Sequence, residues 1–276
     1  MASWPAVYDS GRWETSGAAT AASDGATVTA GALNTKGSWA ELAAATALAG
    51  DLLIVQPGAC SAAADYLVDI GIGAAGSEQT IVSNLLICAG KGPGAWFGCP
   101  IVLPISIPAG TRLAARAQAT TASATLTLIA HALARGWLDG APLSRVATYG
   151  AATADSGGTS IDPGGSANTK GAWTQLASAT SADHRALLLA LGNQANTVRT
   201  AGSWLVDIGI GAAGSEQTIV SNLFIRGDSS NDCVSTAMTL PLPIAIPAGT
   251  RLAVRAQSDI TNATDRLFDA VLYGVG

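Results

Sequence analysis

Apolar and polar residues alternate with a period of two along several short segments of the chain. In residues 67–73, LVDIGIG, the valine and both isoleucines fall on one face, and the aspartate and glycines fall on the other. This spacing predicts a β-strand with one buried face, because successive side chains of a strand point to opposite sides of the sheet. The β-branched run TIVSNLLI that follows predicts a returning strand.

The same alternation recurs further along the chain. Leu103, Ile105 and Ile107 alternate with prolines and a serine, and the prolines predict an edge strand because they cannot donate ladder hydrogen bonds. In residues 112–118 the alternation places Leu113 and two alanines inward and the arginines and glutamine outward. Further strands are predicted at 39–42, 51–56 and 125–132, with counterparts at 173–176, 185–191 and 267–273.

Long blocks of the sequence occur twice. Residues 67–87 return at 205–225 with Phe224 in place of Leu86 as the one difference, and residues 103–118 return at 242–257 with two differences. A repeat of about 135 residues has the size of a whole domain. The fold class predicted is therefore all-β: a tandem duplication of an antiparallel β-sandwich of jelly-roll type, with some seven or eight strands in each copy. We predict a first domain at 1–142 and a second at 143–276, joined in a segment rich in Gly, Pro and Asp.

Composition narrows the classes of partner. Charged residues make up only 12% of the chain and hydrophobic residues 49%, and a surface so poor in charge favours burial against neighbouring subunits. The net charge is −5 without a Lys/Arg cluster, so we expect no nucleic-acid partner. No apolar run reaches the ~20 residues that span a bilayer, and the first residues lack a secretory signal pattern, so we expect no membrane partner and synthesis in the cytoplasm.

The four cysteines lack the spacing of a zinc site. They are Cys60, Cys88, Cys99 and Cys233, three in the first copy and one in the second, so the repeated fold does not depend on them. Reduced, buried thiols are expected in a reducing cytoplasm. A bond between Cys88 and Cys99 across a loop is the alternative.

Residues 71–76, GIGAAG, match the GxGxxG pattern of dinucleotide-binding proteins. That pattern places pyrophosphate at the start of a helix, but here a strand-like stretch follows, with no helical apolar stripe. Trp96 stands where the acid that binds ribose would be expected. We therefore interpret these glycines as the end of a strand and a turn, and we expect no cofactor.

Charged residues are retained in both copies. Asp69 and Asp207 lie on the outer faces of predicted strands, where Arg116 and Arg255 are the expected partners. Such retention indicates either a recent duplication or a surface that both copies present to equivalent partners. The candidate assembly or repeat-surface residues are Asp69, Glu78, Arg112, Arg116, Asp207, Glu216, Arg251, Arg255 and Trp96.

Catalytic chemistry is not predicted. His131 and His184 occupy places that do not match between the copies, and no GxSxG, HExxH or EF-hand pattern occurs, so we expect neither an enzyme nor a metal site. Trp39 and Trp173 match between the copies and are predicted to fill the cores. Trp96 lies in a Gly/Pro-rich loop, where it could serve core or interface packing or act as a platform for sugars.

The blocks W-x-x-L, LVDIGIGAAGSEQTIVSNLL and IPAGTRLAARAQ resemble β-sandwich structural proteins of tailed bacteriophages and prophages, such as capsid decoration proteins, head fibres and tail-fibre modules. The resemblance implies a virion protein with a jelly-roll-like fold, usually a trimer, with copies of itself and the major capsid protein as partners. It carries over no catalytic residues. Three two-domain chains would present six near-equivalent domains, which matches pseudo-six-fold symmetry on a phage head.

Three other functions stay open at this point. A tail-fibre or receptor-binding module would bind host surface glycans through divergent loops such as residues 226–239. A double-jelly-roll major capsid protein would assemble shells unaided. A free carbohydrate-binding or hydrolytic protein is the third.

Overall fold

The computed structural model describes residues 13–22, 24–88, 100–134, 143–192, 202–227, 237–238 and 241–276. Within these ranges the protein is all-β, with twenty strands. None of the residues described belongs to a helix that could cross a membrane. We refer to the described residues up to 134 as the first half and to those from 143 onward as the second half.

Ten strands form in each half. In the first half they are β1 (Trp13–Ser16), β2 (Ala18–Ala19), β3 (Asp24–Thr29), β4 (Ala40–Ala43), β5 (Gly50–Cys60), β6 (Asp65–Ile72), β7 (Gln79–Cys88), β8 (Ile101–Leu103), β9 (Leu113–Ala119) and β10 (Thr125–Ala134). In the second half they are β11 (Val146–Tyr149), β12 (Ala151–Ala152), β13 (Gly157–Ile161), β14 (Thr174–Ala177), β15 (Ala186–Gly192), β16 (Gly202–Ile210), β17 (Gln217–Gly227), β18 (Ala237–Met238), β19 (Leu252–Ser258) and β20 (Phe268–Val275).

Each half consists of two antiparallel sheets. In the first half one sheet has the order β2-β3-β10-β5-β8, with β1 also paired to β10, and the other has the order β4-β9-β6-β7. From β3 to β10 the chain crosses repeatedly between the sheets, which is the arrangement of a jelly roll. The second half has the same order, with β12-β13-β20-β15-β18 plus β11 in one sheet and β14-β19-β16-β17 in the other.

The alternating segments form the strands that they predict. Residues 65–72 are β6, with Val68 and Ile70 fully buried, and 79–88 are the returning strand β7. By contrast, the edge strand predicted across Leu103, Ile105 and Ile107 does not form: edge strand β8 ends at Leu103, and in the proline-containing stretch that follows only Ile107 makes a bridge, to Gly50, because proline cannot donate ladder hydrogen bonds. Each half has more strands than the seven or eight predicted. The proposed boundary at residue 142 falls in 135–142, outside the described residues, and stays a prediction.

The GIGAAG segment is a turn between two strands. Gly73 and Gly76 have φ angles of 108° and 81°, which residues with a side chain rarely adopt. The chain continues into β7 and not into a helix, so the interpretation of these glycines as a strand end and a turn is confirmed.

The large sheet of the second half is buried on both faces. On β15, Leu187 and Leu189 join the core of the second half, whereas Leu188 and Ala190 join the core of the first. The side chains of β20 alternate in the same way: Leu272 lies in the core of the second half and Tyr273 in the core of the first half. The two sandwiches therefore pack together through this sheet.

Candidate functional site: repeated charged clusters and the contact between the halves

Asp69 is the centre of a charged cluster on the first half. It lies on β6 directly opposite Arg116 on β9, and the Arg116 Nε donates to Asp69 Oδ2 at 2.9 Å. The predicted pairing is confirmed. The carboxylate is only 5% exposed, so water screens this ion pair less than it would at a free surface.

Sequence reasoning missed the second cation of this cluster. Lys36 Nζ donates to Asp69 Oδ1 at 2.7 Å and to the Leu67 carbonyl at 2.8 Å. Burial lowers the pKa of Lys36, and Asp69 opposes that shift. The signal was present in the sequence, because Lys36 and Lys170 stand at the same place in the repeated NTKG block.

A bulge in β7 supplies the third donor to Asp69. The register between β6 and β7 shifts near this point, and Asn84 has a φ angle of 54°. The backbone amide of Asn84 donates to Asp69 Oδ1 at 2.9 Å. The carboxylate thus satisfies an amide that the bulge takes out of the ladder.

The second half repeats the cluster around Asp207. Its carboxylate accepts hydrogen bonds from Lys170 at 2.7 Å, from the Asn222 amide at 2.9 Å and from Arg255 at 3.0 Å. Burial raises the pKa of Asp207, but these three donors outweigh burial and hold the pKa below its usual value.

A second ion pair fixes the turn beside each cluster. Arg112 donates to Glu78 at 2.8 Å and to Glu41 at 2.8 Å, and in the second half Arg251 donates to Glu216 at 2.8 Å. The Glu78 carboxylate is 3% exposed, and its bonds to Arg112 and to backbone amides lower its pKa although burial raises it. Each half therefore brings its four predicted charged residues together in two internal pairs.

The matched tryptophans do not fill the cores, so that prediction was wrong. Trp39 and Trp173 are half-buried and lie beside the charged clusters. The guanidinium carbon of Arg116 lies 4.5 Å from the ring centre of Trp39, and Arg255 covers Trp173 at the same distance. A side chain at Gly71 would collide with the Trp39 ring, which explains the glycine in that block.

An open groove of about 570 Å³ lies next to Trp39 and Lys36. The Arg116 guanidinium already covers one face of the Trp39 ring, so that face cannot stack against a sugar. Trp96, the tryptophan considered for sugar binding, lies outside the described residues.

The cysteines and histidines are separate from these clusters. Cys60 is a buried free thiol and Cys88 is buried, while Cys99 and Cys233 lie outside the described residues. His184 is buried, with its Nε2 2.7 Å from the Tyr149 hydroxyl, and burial lowers its pKa. Among the residues described, no group of three His, Cys, Asp or Glu side chains is arranged to hold a metal ion.

Edge strand β7 is the main contact of the first half with the second. The Leu86 amide donates to the Tyr273 hydroxyl at 2.8 Å, and that hydroxyl donates to the Asn84 carbonyl at 2.9 Å. The hydroxyl oxygens of Ser83 and Thr148 lie 3.1 Å apart. The second half thereby satisfies backbone groups that an edge strand would otherwise leave open.

A polar contact extends this joint, the contact of β7 with the second half, to strand β9 of the same sheet. The Gln118 amide donates to the Thr153 carbonyl at 2.7 Å and to the Ser156 hydroxyl at 3.1 Å. The Ser156 hydroxyl donates to the Asn34 side chain at 2.9 Å. Gln118 points away from its own sandwich, as the alternation predicts, yet it is only 3% exposed because a loop of the second half covers it.

No protein-family model and no curated protein matches the chain. Solved structures give distant likenesses. PNGF-II in a C2 space group has a TM-score of 0.35 and 10% identity over 90% of this chain, which spans only 64% of that one. The N-terminal CBM22-1-CBM22-2 tandem domain of Paenibacillus barcinonensis Xyn10C has a TM-score of 0.24 and 12% identity, covering 82% of this chain and 79% of that one. The infectious bursal disease virus VP2 subviral particle has a TM-score of 0.21 and 12% identity, covering 96% and 71%. These TM-scores all lie below 0.5, so the likenesses carry nothing on function.

Proposed function

We propose that this chain is a non-enzymatic structural protein that assembles with copies of itself on the surface of a bacteriophage particle. The observation that carries the proposal is the joint between the halves, in which one sandwich offers an edge strand and the other a sheet face. The second half buries the outer face of its large sheet against the first half, so the surface of one sandwich already serves as a contact for another sandwich.

The repeated charged residues support a structural role. The Asp69 carboxylate is held by two cations and a backbone amide, and Glu78 is held by Arg112. A general acid must donate a proton to the substrate and a general base must accept one from it, whereas these carboxylates make their hydrogen bonds within the fold. Their role is to hold β6, β7 and β9 together, and a function as direct assembly contacts stays a prediction.

The bacteriophage setting comes from the resemblance of the repeated blocks to phage β-sandwich proteins, and a capsid decoration or head surface role follows from it. The low content of charged residues, 12%, favours extensive contact with neighbouring subunits. Three chains would place six sandwiches around one axis, and this arrangement would match the symmetry of a capsid unit with a six-fold or pseudo-six-fold axis.

Electron microscopy of the purified protein tests this proposal. Discrete particles of three chains with a pseudo-six-fold outline are the expected result, and they should then bind emptied phage heads. Closed shells would assign the chain to the major capsid proteins instead. Single chains at every protein concentration would overturn self-assembly, and glycan binding by such chains would favour the receptor-binding alternative.

A further inference from the structure

Two large hydrophobic side chains, Phe224 and Trp13, are exposed in one half, although the residues at the matching positions of the other half are buried. Phe224 on β17 is 67% exposed, whereas Leu86 at the same place on β7 is completely buried. Trp13 on β1 is 53% exposed, whereas Val146 at the same place on β11 is 5% exposed. The difference arises because β7 packs on the large sheet of the second half, whereas no described part of the chain packs on β17 in that way.

The register of the sheets fixes these correspondences. Strand β1 pairs with β10 in the same register as β11 pairs with β20. Trp13 of β1 therefore matches Val146 of β11, and Thr15 matches Thr148. On the partner strands, His131 of β10 matches Tyr273 of β20. The outer face of the β1, β5 and β10 sheet is therefore the counterpart of the face that receives β7. We name it the free face, and we name the exposed side of β17 the free edge.

The polar groups of the joint are retained on both unpartnered surfaces. Ser83 contacts Thr148 within the chain, and the free edge carries Ser221 where the free face carries Thr15. Gln118 donates to the Thr153 carbonyl, and its counterpart Gln257 stands on the second half. Gln257 and Asn168 are more exposed than Gln118 and Asn34, as expected for a contact that lacks its partner.

Apolar side chains also remain on the free face. Ile54 and Ile129 take the places of Leu188 and Val271, and both are half-buried, whereas Leu188 and Val271 are fully buried. His131 replaces Tyr273 and lies within the free face, where its Nδ1 accepts a hydrogen bond from Trp13 Nε1 at 3.0 Å and its Nε2 lies 3.3 Å from the Gln56 side-chain oxygen.

We propose that the free edge of one chain docks on the free face of a second copy of this chain, repeating between chains the contact that β7 makes within it. Such a contact is heterologous, so chains join head to tail and form a ring if the rotation closes. A ring of three chains would hold six sandwiches joined by six similar contacts. The inference deepens the proposed function and rests on its self-assembly, since it names the surfaces involved.

Blocking one surface at a time tests the proposal by measuring particle mass. Phe224→Asp blocks the free edge and Trp13→Asp blocks the free face, and each variant alone should give single chains of 27.4 kDa. An equal mixture of the two should give particles of two chains, because one joint between them stays intact. Leu33→Asp is the matched control, since Leu33 is 59% exposed and adjoins Asn34 at the joint already made within the chain.

Cross-linking gives a second measurement that does not depend on disrupting a surface. Thr15→Cys combined with Ser221→Cys should yield covalently joined chains on oxidation, and neither single variant should do so. Ser83→Cys combined with Thr148→Cys is the matched control, which should form a link within one chain, because those hydroxyl oxygens lie 3.1 Å apart.

The outcomes separate this inference from the proposed function. If the wild-type protein assembles but Phe224→Asp keeps the same mass and the Thr15/Ser221 pair does not cross-link, another surface joins the chains and the inference is overturned. If the wild-type protein stays a single chain at every concentration, self-assembly fails and the inference fails with it.

Discussion

Strands β7 and β17 have nearly the same sequence and opposite surroundings. QTIVSNLLI in β7 and QTIVSNLFI in β17 form the same edge strand with the same bulge, where Asn84 and Asn222 have φ angles of 54° and 57°. Yet Leu86 is completely buried and Phe224 is 67% exposed. The strand, the bulge and the charged cluster are thus the same wherever the sequence is repeated, whereas burial of the edge depends on what packs against it.

The largest expected effect is a difference in the free energy of unfolding when the same substitution, to aspartate, is made at the matched positions 86 and 224. Leu86→Asp places a charge in the joint between the halves, and an unpaired buried charge costs about 3–5 kcal/mol. Phe224→Asp at the exposed position should change the free energy of unfolding by less than about 0.5 kcal/mol. Urea unfolding followed by circular dichroism, at concentrations that keep the chains single, measures both values. Equal losses would contradict the description of β17 as unpartnered.

A second prediction concerns the charged cluster that the strands share. Asp207→Asn removes a carboxylate that accepts three hydrogen bonds, and at neutral pH the loss should be about 2 kcal/mol, in the range for bonds to a charged group. The pKa of Asp207 is lowered in the fold, so its contribution is present above the unfolded pKa of about 4 and disappears as the pH falls through the folded value.

The size of the pH dependence separates this cluster from a more exposed pair, because the hydrogen bond from Arg266 lowers the pKa of Asp162 as well. Between pH 7 and pH 3 the stability advantage of the wild-type protein over Asp207→Asn should shrink. Asp162→Asn is the control, because the Asp162 carboxylate is 53% exposed in its pair with Arg266 and should contribute less than about 1 kcal/mol. An advantage over Asp207→Asn that does not change with pH would be inconsistent with a lowered pKa.

The third prediction tests the hydroxyl that covers the edge of β7. Tyr273→Phe leaves the Leu86 amide and the Asn84 carbonyl without their partner, and a buried group left unsatisfied costs about 1–3 kcal/mol. His131→Phe at the matched position of the free face should cost less, since none of the described strands lies over that face. Thermal unfolding of the two variants gives the comparison, and a larger loss for His131→Phe would refute it.

The sequence predicted the fold better than it predicted the joint. Alternation is clear in β6, β7 and β9 because large apolar residues face glycine, serine or charged residues, but β1 to β3 are short or rich in Ala, Gly and Thr and give little contrast. The Asp69–Arg116 pair was predictable, since opposite charges point outward from strands in two blocks that are both repeated. Lys36 was not predicted, because it lies before β4 in a segment without strand alternation, so that only its recurrence as Lys170 marks it in the sequence.

The contact between the two halves could not be predicted from the sequence pattern of single strands. Tyr273 and His131 differ between the copies, but a strand pattern cannot distinguish a hydroxyl that binds a neighbouring domain from one that faces water. Gln118 was predicted to point outward, and whether a loop covers it depends on contacts between residues 35 and 38 positions apart. Burial between domains is a tertiary property that period-two alternation does not encode.

The smallest effect expected comes from a hydroxyl retained on both edges. Ser83→Ala removes the contact between the Ser83 and Thr148 hydroxyls and should cost about 1 kcal/mol, the usual net value of one hydrogen bond, while the bond from the Thr148 hydroxyl to the Ser83 carbonyl stays. Ser221→Ala should leave the unfolding of single chains unchanged, because Ser221 is exposed. In an assembled sample, however, Ser221→Ala should lower stability by a similar amount if the free edge meets Thr15 of a second copy. The test compares the denaturant midpoints of Ser221→Ala and the wild-type protein at low and at high protein concentration. If the difference between the two midpoints does not depend on concentration, the β17 edge does not become equivalent to the β7 edge on assembly.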